Sequence, residues 1–176
     1  GSKVDFPALE REILAWWDEN GILAKYLKRN DGSDKKFSFI DGPITANNPM
    51  AVHHGWGRTY KDLWQRYKTM QGYHVPRRFG WDCHGLPIEY RVMTELVESG
   101  KFDKIADLDE DTRRMAVRRE CRKYAEKYQK RHRRQKERLL TFADYDNPYL
   151  TMSPEYEGAT IDVFAELLAA GLVFRD

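Results

Sequence analysis

Hydrophobic and polar positions change period along this chain, and the change falls within one stretch. Phe37-Ser38-Phe39-Ile40 alternates apolar and polar, which predicts a β-strand, and Asp41-Gly42-Pro43 ends the alternation as a turn. A polar loop follows from Thr45 to Pro49. Val52, Trp56, Tyr60, Leu63, Trp64, Tyr67 and Met70 then recur every three or four residues, one face of an amphipathic helix, and Gly72 stands where a left-handed C-cap would close it. His74 to Phe79 reads as a second strand. Strand, helix and strand in succession require a crossover connection, so the fold class expected is α/β with a parallel sheet flanked by helices. Ligands in such sheets sit beyond the carboxyl ends of the strands. The Gly42-Pro43 turn and a Gly80-Trp81-Asp82 turn both fall at such ends and are expected to open side by side.

The rest of the chain reads mostly helical. A helix is expected from Asp5 to about Asn20, with Pro7 in its first turn and Leu9, Ile13 and Trp17 on one face. Trp16-Trp17 at this spacing reads as core rather than as a binding platform. A short turn to Leu27 and a polar connector from Lys28 to Lys36 follow. Pro87 to about Val97 predicts another helix. A long one starts between Asp107 and Thr112, capped by Asp111 or Thr112, and runs to about Phe142. Between Arg113 and Arg138 it carries thirteen Lys or Arg against three Glu. That surface fits RNA phosphates, or a solvated helix whose charges meet acidic neighbours. Asn147 to Pro154 reads as a loop with strand character. Ser153-Pro154-Glu155 opens a last helix with Ile161, Phe164, Leu167 and Leu168 on its apolar face. Leu172-Val173-Phe174 reads as the start of a further strand, so a longer parent protein is expected. Gly1-Ser2 reads as an expression scar.

Composition narrows the classes. Charged residues make up 33% of 176, yet the net charge is only +2, so the chain as a whole is not a polybasic binder. Two cysteines, Cys83 and Cys121, without a pairing pattern argue for a reducing compartment and against a disulfide framework or a zinc site. No apolar run approaches the roughly 18 residues of a membrane span. A cytoplasmic protein without membrane attachment or protein-bound metal is expected.

The chemistry concentrates where the period changes. His53-His54-Gly55 opens the helix after the strand-turn, and a helix N-terminus exposes unpaired amide donors that suit phosphate. Imidazoles there can donate to a phosphoryl oxygen as its charge grows; the plain alternative is a pair of loop histidines capping a helix. Asp82 at a strand end can hold an ammonium group by a charge-assisted hydrogen bond, or can simply cap the helix that follows. Trp81 walls the same pocket or packs under the sheet.

These segments together resemble a known family. Asp41-Gly42-Pro43, Ala46-Asn47, the histidine pair, Lys61-Asp62, Gly80 through Glu89 (GWDCHGLPIE) and Asn147 through Met152 (NPYLTM) are similar to the amino half of class I aminoacyl-tRNA synthetases, nearest to the isoleucyl enzymes. The family signature is His-x-Gly-His at the helix start. Held ungapped between Asp41-Gly42-Pro43 and Lys61-Asp62, it falls on Ala51-Val52-His53-His54, with its last histidine kept, its first replaced by Ala51 and its glycine by His53. A shifted reading, His53-His54-Gly55-Trp56, restores the first histidine and the glycine but loses the last and needs an insertion.

The resemblance implies a Rossmann-like sheet in residues 37–176, the first half of a nucleotide-binding catalytic domain ending before an editing insertion, behind a helical extension at 1–36. It implies ATP-dependent activation of isoleucine to isoleucyl-adenylate and transfer to tRNA(Ile), with ATP and Mg2+ as substrate. His53 and His54 are the implied catalytic donors. ATP is expected at Ile44, Thr45, Ala46, Asn47, His53, His54 and Gly55, and the amino acid at Gly42, Pro43, Asp82 and Trp81. The family's second element, Lys-Met-Ser-Lys-Ser, is absent from this sequence. The chain alone is therefore expected to bind ATP or the adenylate weakly at most. The alternative is a non-catalytic ATP, amino-acid or tRNA binding module derived from a synthetase half.

Overall fold

A computed structural model describes residues 4–175; residues 1–3, including Gly1-Ser2, and the final Asp176 lie outside them. Three parallel strands form the sheet in the order β1 (Ile44–Thr45), β2 (Arg78–Asp82) and β3 (Asp144–Leu150). Among the described residues seven helices surround them: α1 (Phe6–Glu19), α2 (Ile22–Leu27), α3 (Val52–Met70), α4 (Leu86–Glu98), α5 (Asp103–Ala106), α6 (Glu110–Arg138) and α7 (Pro154–Ala169). The parallel α/β class expected from the pattern is the one observed.

The strands sit later than their patterns indicate. Phe37 to Ile40 is extended but pairs only through a parallel bridge at Lys36 and His74, and regular pairing begins at Ile44 opposite Trp81. Between those two points the edge chain advances one residue more than β2, so it bulges away from the sheet, and ladder pairing lapses where the alternation looked best. The second strand is Arg78–Asp82 rather than 74–79, which puts Gly80-Trp81-Asp82 inside β2; the turn follows at Cys83–Gly85. Gly42-Pro43 accordingly precedes β1 instead of ending a strand. The segment expected as a loop at 147–154 holds the second half of β3. Leu172–Phe174 forms no strand among the described residues.

Phe79 and Trp81 of β2, and Cys83 just beyond it, share one core with Ile88, Val92 and Leu96 of α4 and Tyr124, Ala125 and Tyr128 of α6. On the opposite face Gly80 stands beside Tyr149, its partner in β3. A Cβ at Gly80 would come within 1.9 Å of the Tyr149 ring, so only glycine lets that ring lie across the strand. The Tyr149 hydroxyl then donates to the Asp41 carbonyl, fastening the chain ahead of β1. Tyr156 of α7 stacks on the Tyr149 ring with centroids 6.3 Å apart and planes 9° from parallel.

Helix termini follow ordinary capping chemistry. Asp5 caps α1 by accepting from the Ala8 amide, Ser153 caps α7, and Gly72 takes φ +85 beyond α3. The long helix α6 is capped by Asp109, which accepts from the Thr112 amide at 3.0 Å, so the cap lies two residues before Asp111. Its helix ends at Arg138, and Phe142 beyond it packs against Trp17 of α1 and Tyr26 of α2 at centroid separations of 5.3 and 4.6 Å. Trp17 is thus packed as expected, while Trp16, Leu9 and Ile13 stay exposed.

Helix α3 presents its polar face inward. Arg58, Asp62, Gln65 and Thr69 are buried, whereas Val52, Trp56, Tyr60, Leu63, Trp64, Tyr67 and Met70 are all exposed. Burial of charge requires partners. Asp62 has them: its Oδ1 accepts from Arg77 Nη1 at 2.9 Å and from the Phe142 amide at 3.0 Å, and its Oδ2 pairs with Arg66 Nε. The apolar face of α7 is likewise exposed.

Candidate functional site

The carboxyl ends of β1 and β2 meet as the strand–helix–strand argument requires. Thr45 pairs with Asp82 in register, the Ala46 amide donates to the Asp82 carbonyl at 2.8 Å, and Thr45 Oγ1 donates to Asp82 Oδ2 at 3.0 Å. The His84 amide approaches the other oxygen at 3.4 Å. Asp82 is half-buried and stays an acceptor with lone pairs to spare, which is what capture of an ammonium group needs.

Next to this junction lies a cavity of about 290 Å³ lined by Gly42, Pro43, Ile44, Thr45, Met50, His53, His54, Gly57, Arg58, Lys61 and Lys136. It brings together six of the residues singled out from the sequence. Asp82 borders it through Thr45. Gly55 faces Leu139, 3.5 Å from where a Cβ would stand, and does not line the cavity. Trp81 is fully buried under the sheet, so of its two readings packing prevails. Ala46 is equally buried and acts through its backbone. Asn47 accepts from the Tyr124 hydroxyl at 2.8 Å.

His54 caps α3. Its Nδ1 accepts from the Ala51 amide at 3.0 Å, so in the neutral ring the proton resides on Nε2. Desolvation, with the neighbouring His53 and Arg58, lowers its pKa, which favours that neutral form. His54 is therefore a hydrogen-bond donor through Nε2 rather than a cation. The His53 ring lies beside it, centroids 3.9 Å apart. Capping and donation turn out to be compatible functions of one ring.

Of the cations of the cavity, Lys61 stands out in the sequence only as part of the Lys61-Asp62 motif, and Arg58 and Lys136 are not singled out there. Arg58 Nη1 lies 2.8 Å from Asp41 Oδ2 and Lys61 Nζ 3.0 Å from Asp41 Oδ1, with Asp41 and Arg58 buried. Their signal was spacing: Arg58 and Lys61 follow His54 by four and seven residues, one helical face. The basic helix α6 turns much of its chemistry inward. His132 Nε2 donates to the Asn48 carbonyl, Gln135 Oε1 accepts from the Met50 amide at 3.0 Å, and Lys136 is fully buried. With Tyr124 on Asn47 these contacts fix the loop between β1 and α3. Other basic residues of α6 pair with acidic neighbours, Arg133 with Glu137 and Asp146, and Arg138 with Glu10.

A larger cavity of about 1170 Å³ opens at the opposite, amino ends of β2 and β3, between α1–α2 and the sheet, and contains none of the candidate residues. Among the described residues no group of three or more His, Cys, Asp or Glu is placed to hold a metal ion. No described helix is long and apolar enough to cross a membrane.

A parallel sheet with hydrogen-bond donors gathered at the strand ends and at a helix N-terminus defines a Rossmann-like α/β domain. The model of the family described as tRNA synthetases class I (I, L, M and V) matches residues 12–176, and the chain belongs to that family. Within it the similar curated proteins include isoleucine–tRNA ligases. That of Kosmotoga olearia is 43% identical over 166 residues, covering 94% of this chain and 17% of that protein. That of Streptomyces coelicolor is 37% identical over 179 residues, covering 99% of this chain and 16% of that protein. The chain thus spans about a sixth of the length of these relatives. Among solved structures, the LeuRS of Agrobacterium radiobacter K84, in a LeuRS-tRNA-LeuAMS ternary complex, matches 99% of this chain and 19% of its own with a TM-score of 0.71. At 22% identity that likeness speaks for the fold.

Proposed function

We propose that this chain forms the isoleucine- and ATP-binding part of a cytoplasmic isoleucine–tRNA ligase, with residues 1–36 as a helical extension and 37–176 as the first half of the catalytic domain. The reaction is attack of the isoleucine carboxylate on the α-phosphate of Mg2+-ATP, with pyrophosphate leaving, followed by passage of the aminoacyl group to tRNA(Ile) in a protein that carries the remaining elements. The observation that supports it best is the junction at Thr45 and Asp82, where a half-buried carboxylate stands beside a cavity lined by hydrogen-bond donors. Asp82 holds the α-amino group, and Gly42 and Pro43 border the side of the cavity next to it. His53 and His54 donate to the phosphate as charge develops, an electrostatic contribution that needs no protein nucleophile. Ile44, Thr45, Ala46, Asn47 and Gly55 shape the approach of ATP, largely through backbone.

Titration calorimetry with ATP, isoleucine and a non-hydrolysable isoleucyl-adenylate analogue tests this. Asp82→Asn is expected to weaken the analogue at least tenfold and leave ATP unchanged, and His54→Ala to weaken ATP. Affinity for ATP and isoleucine lost from the unsubstituted chain would leave only a scaffold. A binding module without catalytic duty is favoured by Ala51 at the first signature position; it predicts ATP affinity that His54→Ala leaves intact.

A further inference from the structure

The inner face of α3 and the end of α6 enclose more positive than negative charge. Asp41 is met by Arg58 at 2.8 Å and Lys61 at 3.0 Å, and Lys136 adds a third cation to the same cavity. Lys136 is fully buried, and its Nζ has no hydrogen-bond partner among the described residues. The ammonium sits 3.9 Å from the centroid of the Trp81 ring and 4.6 Å from that of Phe79. Ring faces attract a cation but accept none of its three N–H bonds in the ordinary sense. A buried charge left in this state is costly, and proteins retain one where a ligand completes it.

We propose that Lys136 is a binding residue of an oxyanion seat, in which a phosphate oxygen of the nucleotide enters between the start of α3 and the chain before β1 and becomes the acceptor that this ammonium lacks. The identity of the anion rests on the ATP reading given above; the seat itself rests on the orphaned ammonium and the surplus of cations around it.

Charge balance adds a consequence. Burial, then Arg58, bring Lys136 down to about 7, with Asp41 opposing them and Lys61 adding to them. The groups around it are Arg58, Lys61 and His54 from α3, Asp41 from the segment before β1, His132 from the preceding turn of α6, and the Phe79 and Trp81 rings of β2. A bound anion favours the protonated amine, so binding above neutrality takes up a proton.

Calorimetry of ATP binding at about pH 8, in two buffers of different ionisation enthalpy, measures that proton. Uptake of roughly one proton per ATP is expected for the unsubstituted chain, and none for Lys136→Met, which binds at least tenfold more weakly. Lys136→Arg, a cation that does not titrate, is expected to bind without uptake. Sulfate, which carries no titrating proton in this range, separates the two readings. Sulfate bound with uptake while ATP is not bound keeps the seat and removes the nucleotide. ATP bound equally by both chains without uptake keeps the nucleotide and overturns the seat. Absence of binding by either anion overturns both.

Discussion

Replacing Gly80 by alanine puts the packing that fastens the site to a direct test. A Cβ at this position would stand 1.9, 2.2 and 2.4 Å from three atoms of the Tyr149 ring. The ring has little room to retreat, because Tyr156 stacks on it and its hydroxyl is engaged by the Asp41 carbonyl. Overpacking of this kind costs about 1–3 kcal/mol, and the lost hydrogen bond about 1 more. Alanine recovers roughly half a kcal/mol of the backbone entropy that glycine gives up in a strand. The net expectation is a loss of about 1.5–3.5 kcal/mol in urea denaturation followed by circular dichroism. The decisive measurement is the double-mutant cycle with Tyr149→Ala. If the ring causes the cost, Gly80→Ala is nearly neutral once Tyr149 is gone. An equal loss in both backgrounds would refute the reasoning and assign glycine's role to its backbone alone.

Two further outcomes follow from the buried charges. Asp62→Ala strands the buried Arg77 guanidinium and removes the acceptor of the Phe142 amide, so a loss of about 3–5 kcal/mol is expected in the same denaturation assay; less than 1 would contradict it. Lys136 has a folded value near 7 against 10.5 for the free side chain, so the unfolded chain holds the extra proton between those values. Stability of the unliganded chain should therefore rise with pH across that window, by up to about 1.4 kcal/mol per pH unit, and the rise should be missing in Lys136→Met. Parallel pH profiles for the two chains would show that the amine is not perturbed.

Periodicity located the elements better than it oriented them. The recurrence of Trp56, Tyr60, Leu63 and Tyr67 found α3 to its last residue, yet it was silent on which face this sheet would cover. The answer came from ion pairs, Asp41 with Arg58 and Lys61 and Asp62 with Arg77, whose partners lie 15 to 20 residues apart in sequence. The Phe37–Ile40 alternation failed for a related reason: pairing at a sheet edge depends on register with β2, and register is invisible in one strand's letters. Lys136 was hidden among thirteen basic residues, since charge counting treats a buried lysine like an exposed one. Motif reading, by contrast, led to His53, His54 and Asp82 as candidates, because a helix start and a strand end are each written in adjacent residues.

The outward face of α3 also decides what light can report from this molecule. Of its five indoles, Trp16, Trp56 and Trp64 are already exposed in the native state, and Trp81 alone is fully enclosed, with an amine stacked on its ring. Intrinsic emission will be dominated by chromophores that scarcely change environment on unfolding. A version keeping Trp81 as its single indole turns that amine into a nearby quencher or spectral reporter, an optical window on a charged part of the interior.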